Sequence, residues 1–224
     1  MVRIAPALLS ANFARLGEAL EIVKSAGASM VHIDVMDGHF TPDVSVGQPV
    51  IARLRQATDL ILDVRLAIEL PERFADEFIK AGADRVSVHP ESTPRWHSVL
   101  ESIRARRAKA GMALNTTTPV DSVADALADA DFLTILSADQ GVDDRFIPWA
   151  TTKVRRAAQL REDRRLDFAI QVEGGVSFEN LEELIRAGAD ILVAGSAIFH
   201  NENPKARLRE MIRLASEVCQ KSRV

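Results

Sequence analysis

The chain has 224 residues, 47% hydrophobic and 27% charged, with a formal net charge of −4. That balance is ordinary for one globular domain; it excludes a disordered chain and gives no electrostatic basis for a nucleic-acid partner. No run of 18 apolar residues occurs, Met1–Pro6 holds no long apolar stretch and Cys219 is the lone cysteine, so the expectation is a cytoplasmic protein with no membrane span and no internal disulfide.

In chain order, strand candidates fall near residues 3–9, 30–35, 60–66, 84–89, 111–115, 131–136, 168–172 and 190–194. A helix candidate follows each, near 12–26, 47–57, 71–81, 95–109, 120–128, 147–163, 177–187 and 204–217. A recurring phrase marks the passage from helix to strand: Ala26-Gly27-Ala28, Ala81-Gly82-Ala83-Asp84, Ala128-Asp129-Ala130-Asp131 and Ala187-Gly188-Ala189-Asp190. Glycine there supplies a helix C-cap, and the β-branched run that follows is nearly continuous in hydrophobics, as a strand buried on both faces should be. Pro71, Pro119, Pro148 and Pro204 sit at or near helix starts, where a missing N–H costs little. Eight βα units in this length predict a single domain over 1–224, a closed parallel (β/α)8 TIM barrel. An open doubly wound sheet is the alternative, weakened because no G-x-G-x-x-G follows the first strand. The basic clusters Arg104–Arg107 and Arg155-Arg156 lie in helix-like segments mixed with acids and read as solvated faces.

In such a barrel the chemistry gathers at the C-terminal strand ends, so polar residues within or just beyond apolar strands carry the functional signal. Strand one runs into Ser10, and strand two carries His32-Ile33-Asp34 followed by Met36-Asp37-Gly38. Alternation puts His32 and Asp34 on one side, where they can share a cation, relay a proton, or simply form a buried hydrogen-bonded pair. On strand three Arg65 shares the facing of Asp63, and a cation on a central strand needs an anionic partner. Strand four ends at His89, and strand seven carries Gln171 and Glu173. Gly174-Gly175 and Gly195-Ser196 follow adjacent strands near the start of a short helix. They can form a phosphate nest, or they are tight turns that need glycine.

Several phrases together resemble the ribulose-phosphate 3-epimerase family: Ile4–Phe13, Val31-His32-Ile33-Asp34-Val35-Met36-Asp37-Gly38-His39-Phe40, Ala81 through His89, Glu173-Gly174-Gly175-Val176 and Val193–Phe199. The resemblance implies a proton transfer at C3 of a ketopentose 5-phosphate by two carboxylates, assisted by a divalent metal such as zinc, iron or manganese. Carried onto this chain, it implies Asp34 and Glu173 as catalytic residues and His32 and Asp34 as metal ligands. It also places Ser10, Met36, Arg65, Gly174, Gly175, Gly195 and Ser196 against the substrate, and it suggests a homo-oligomer built on outer helices.

Three departures from the family pattern stand out. The strand-three phrase D-V-H-L-M, whose histidine binds the metal, is here Asp63-Val64-Arg65-Leu66-Ala67. A guanidinium has no lone pair to give, so the expectation is a metal bound weakly or not at all. The family's aspartate before Gly-Gly is Glu173, one methylene longer. The glycine-rich loop after strand six is replaced by Ala138–Asp144, which brings carboxylates where a phosphate would be cradled. Three functions follow as expectations. The first is an epimerase of a ketose phosphate in which Arg65 takes the place of the metal. The others are a non-catalytic sugar-phosphate-binding paralogue and a related barrel enzyme with another substrate.

Overall fold

In the computed structural model, which describes residues 2–221, each of the eight apolar runs is a strand. They are β1 (Arg3–Pro6), β2 (Met30–Met36), β3 (Ile61–Ala67), β4 (Arg85–Val88), β5 (Lys109–Leu114), β6 (Phe132–Leu136), β7 (Ala169–Glu173) and β8 (Ile191–Ala194). All pair in parallel in the order β1-β8-β7-β6-β5-β4-β3-β2, and a parallel bridge between Ala7 and His32 joins the two ends of that series. The chain is therefore a single (β/α)8 barrel. Its outer helices are α1 (Leu16–Ala26), α2 (Gln48–Ala57), α3 (Ala75–Lys80), α4 (Trp96–Ala105), α5 (Ala150–Asp163), α6 (Leu181–Ala187), the one-turn α7 (Ser196–Phe199) and α8 (Pro204–Lys221). None of the described helices is long and apolar enough to cross a membrane.

The helix expected over 120–128 is instead two 3-10 turns, Val120–Val123 and Ala126–Ala128. Ser122 turns its hydroxyl back onto the Pro119 carbonyl at 2.6 Å, a local bond that competes with helical backbone pairing. The helix expected from residue 71 likewise opens as a 3-10 turn, Pro71–Arg73, before α3.

The repeated helix-to-strand phrase has a structural reason at both ends. Gly27 and Gly188 cap α1 and α6 with φ of +96° and +112°, which a side chain would resist. The aspartates that end the phrase each accept the backbone N–H of a residue in the preceding strand: Asp84 from Leu62 at 2.8 Å, Asp131 from Ala110 at 2.9 Å and Asp190 from Ile170 at 2.8 Å. A cation secures each one, respectively Arg55, Lys109 and Arg161. The repeat thus seals the N-terminal rim of the barrel, opposite the face where the chemistry lies.

Inside the barrel the filling is uneven. Ala5, Ala7, Met30, Ile191 and Val193 form a small apolar cluster on the β1, β2 and β8 side. The lumen also holds His32, Asp34, Asp63, Arg65, Arg85, His89, Gln171 and Glu173, all buried. Register explains the grouping, since His32 lies beside Asp63 and Asp34 beside Arg65 across β2 and β3, with Asp63 beside Arg85 on β4.

Candidate active site

Arg65 sits at the centre of the polar half of the lumen and is fully buried. Its Nε donates to Asp34 Oδ1 at 2.8 Å, and its Nη2 lies 2.7 Å from the same oxygen and 3.2 Å from Glu173 Oε1. Nη1 faces His89 Nε2 at 2.9 Å. His32 meets Asp63 through Nδ1 at 2.7 Å, while its Nε2 is 3.1 Å from both Asp34 Oδ1 and Glu173 Oε2. One layer lower, Arg85 donates to Asp63 Oδ1 at 2.8 Å and to Gln171 Oε1 at 3.0 Å, and Gln171 donates to Asp63 Oδ2 at 2.9 Å. The Arg85 guanidinium also rests 3.8 Å above the Phe132 ring.

Burial alone would strip charge from such groups, so their pairing decides their ionisation. Burial opposes a charged His32, but the carboxylates of Glu173 and Asp34 and the bonds to Asp34 and Asp63 outweigh it, and the ring is held well above its ordinary value. Burial likewise works against the Asp34 charge. Arg65, then His32, overrides it and keeps the carboxyl well below the usual range. Asp63 is depressed in the same way, against burial, by Arg85 and His32. Asp34, Asp63 and Glu173 thus face Arg65, Arg85 and an imidazolium at His32, and the buried cluster is close to neutral.

These shifts set a pH profile for stability. Glu91, at the mouth, would be raised by burial, but contacts with His89 and Thr118 pull it down to about 2. Depressed carboxyls contribute stability that is complete above their unfolded values, about 4–4.5, and that is lost as pH falls through the folded ones. The raised His32 contributes stability complete below its unfolded value of about 6.5 and lost as pH rises through the folded one. Urea midpoints should therefore fall steeply from about pH 4.5 toward pH 2. A midpoint that held constant from pH 6 down to pH 3 would refute this assignment of charges.

Above the cluster opens a cavity of about 460 Å³, at the C-terminal ends of the strands. Ser10, Asp34, Met36, Glu173, Gly174, Gly175, Gly195 and Ser196 all line it. Close packing explains the glycines: at Gly195 a Cβ would strike Ser10 Oγ, and at Gly174, with φ +109°, it would lie 2.6 Å from the Ala138 nitrogen. Arg65 and His32 are not among the lining residues; they lie beneath the floor that Asp34 and Glu173 form.

The loop after β6 enters the same cavity through Gln140–Asp144 and faces Asp43 and Val44 of the loop after β2. The Gln140 amide donates to Glu173 Oε1. Nothing in the sequence pointed to Gln140, because the position of a loop side chain depends on backbone geometry that carries no periodicity. His89, Arg85 and Gln171 did leave a signal, being polar residues at alternate positions on strands buried on both faces.

The model of the ribulose-phosphate 3 epimerase family matches residues 3–199. The chain belongs to the ribulose-phosphate 3-epimerase family. It is 38% identical over 213 residues to the ribulose-phosphate 3-epimerase of Bacillus subtilis, covering 94% of this chain and 98% of that protein. The enzyme of Synechocystis sp. is 41% identical over 203 residues, covering 89% and 88%. The chloroplastic ribulose-5-phosphate-3-epimerase of Arabidopsis thaliana is 42% identical over 199 residues, covering 88% and 71%. Among solved structures, the 3-hexulose-6-phosphate synthase of Salmonella typhimurium superposes with a TM-score of 0.69 at 17% identity, over 97% of this chain and 100% of that one, a likeness of fold alone.

As a member of the epimerase family the chain is an isomerase, and the family's divalent metal can be tested against its residues. His32, Asp34 and Glu173 each offer one ligand-type atom, all within 4.8 Å of one another. The Arg65 guanidinium already lies against two of the three, and it brings a full positive charge without a lone pair. His32 turns Nδ1 to Asp63 and Nε2 to the other two carboxylates. In this arrangement the donor set does not fit a dication, which needs deprotonated ligands and room for its own charge.

Proposed function

We propose that this epimerase moves the C3 proton of a ketopentose 5-phosphate, of the ribulose 5-phosphate and xylulose 5-phosphate type, without a bound metal. Asp34 and Glu173 form the acid–base pair, and Arg65 supplies a fixed positive charge beneath them. The observation that carries this reading is the position of Arg65, in contact with both carboxylates of the cavity floor but not itself lining the cavity.

One carboxylate takes the C3 proton as the electron pair moves into an enediolate. The other receives a proton from the His32 imidazolium, whose Nε2 lies 3.1 Å from both, and returns it to the same carbon from the other side, after which the first passes its proton back to His32. All the cationic contacts to Asp34 fall on Oδ1, so Oδ2 is the oxygen available to the substrate. Arg65 acts through the low-dielectric floor rather than by touching the sugar. Developing negative charge on the enediolate is stabilised by a cation whose position costs no reorganisation. Ser10 and Met36 contact the sugar, and Gly174, Gly175, Gly195 and Ser196 hold its phosphate. Relatives named ribulose-phosphate 3-epimerase over most of the chain, together with the shared lining of one cavity, support the assignment. The same reading includes a cytoplasmic homo-oligomer associated through its outer helices.

Ribulose 5-phosphate turnover should persist in excess EDTA and should not rise on adding zinc or manganese. Turnover abolished by EDTA and restored by zinc would refute the exchange of arginine for metal. One observation favours another substrate on the same machinery: Asp43, Asp143 and Asp144 line the cavity, a poor surround for a dianionic phosphate. Faster epimerisation of an unphosphorylated ketose than of ribulose 5-phosphate would support that second reading. A thermal shift with phosphorylated ketoses and no turnover of any would point to the non-catalytic paralogue.

A further inference from the structure

We infer that His89 is a positioning residue for this reaction, a neutral imidazole that fixes the Arg65 guanidinium against the two carboxylates with Glu91 as its brace. The inference rests on the role given to Arg65 above.

The geometry dictates the tautomer. Arg65 Nη1 lies 2.9 Å from His89 Nε2, and a guanidinium can only donate. Nε2 must therefore present its lone pair, which leaves the ring proton on Nδ1. That nitrogen faces Glu91 Oε2 at 3.5 Å, a polar contact longer than a formed hydrogen bond. Glu91 is itself anchored through Oε1, by the Asn115 N–H at 2.9 Å and the Thr118 hydroxyl at 2.5 Å. The ring is fully buried and packs against Phe40 with centroids 4.8 Å apart. Burial holds the imidazole below its ordinary value, and Arg65 adds to this while Glu91 opposes it.

The choice of a neutral acceptor has a chemical consequence. Arg65 directs Nε and Nη2 at Asp34 and Glu173, so its remaining edge needs a partner or the planar group can rotate. A third carboxylate on that edge would satisfy it but would offset the positive charge offered to the reaction. A neutral histidine satisfies Nη1 and leaves that charge undivided between the acid–base pair. The order Glu91, His89, Arg65, then Asp34 and Glu173 carries position from the turn after β4 to the reacting carboxylates.

Two measurements test this. In the first, kcat and KM for ribulose 5-phosphate are read in His89→Phe and His89→Gln. Loss of the acceptor should lower kcat about 10- to 100-fold with KM within about twofold, a cost typical of a misplaced catalytic group. His89→Gln, which restores an acceptor of similar reach, should recover most of that loss. In the second, 15N NMR of the wild-type chain should show His89 Nε2 unprotonated and Nδ1 protonated at pH 7. A protonated Nε2, or His89→Phe with unchanged kcat, would overturn the inference. The spectrum needs neither turnover nor a folded variant, so it decides the tautomer even if ribulose 5-phosphate proves not to be the substrate; that result would count against the proposed function alone.

Discussion

Arg65→Met should cost about 3–5 kcal/mol of folding stability and about 10²- to 10³-fold in kcat/KM. The side chain being removed is fully buried and meets Asp34, Glu173 and His89 together. Without it, three carboxylates would share only His32 and Arg85, and a buried charge with no partner is far more costly than the pair was favourable. Catalysis falls for a separate reason: methionine fills the volume but brings no charge beneath the enediolate. Urea unfolding reads the first effect and ribulose 5-phosphate turnover the second. Arg65→Lys separates them, since an ammonium keeps the charge yet cannot reach Asp34, Glu173 and His89 at once. Wild-type turnover in Arg65→Met would remove arginine from the mechanism.

Asp34→Asn should lower kcat by about 10²- to 10⁴-fold, the range associated with loss of a general acid or base. Glu173→Gln should fall in the same range, and the double variant should lose little more than the worse single one, because two halves of one proton relay fail as a unit. Both amides keep the shape of the site, so KM should change much less than kcat. Solvent deuterium provides the sharper readout. In D2O the wild type should place deuterium at C3 of recovered ribulose 5-phosphate, and both variants should lose that exchange along with turnover. Asp34→Asn with normal exchange would remove this carboxylate from the proton path.

Much of the barrel was legible because a parallel strand buried on both faces leaves a plain mark, a short β-branched run after a small helix cap. β2 and β6 lie within a residue or two of where those runs place them. The segment after β5 was not legible as it is. Val120–Ala128 has the apolar spacing of a helix, yet Ser122 bonds back to Pro119 and the backbone closes into 3-10 turns. At the site, His32, Asp34, Arg65 and Glu173 could be placed together because alternation fixes which strand residues point inward. The depth of Arg65 was not so readable. Expected against the substrate, it lies under the floor, since Asp34 and Glu173 stand between it and the cavity. The brace from Glu91 and the reach of Gln140 depend on loops, whose conformation no periodic pattern records.

The central claim is that a protein-borne cation replaces a bound one, and metal content measured on the active enzyme tests it most directly. Purified chain that epimerises ribulose 5-phosphate should carry far less than one transition metal per active site, with activity independent of the residual amount. One zinc, iron or manganese per chain, rising and falling with turnover across preparations, would contradict the account and return Asp34, Glu173 and His32 to the role of ligands.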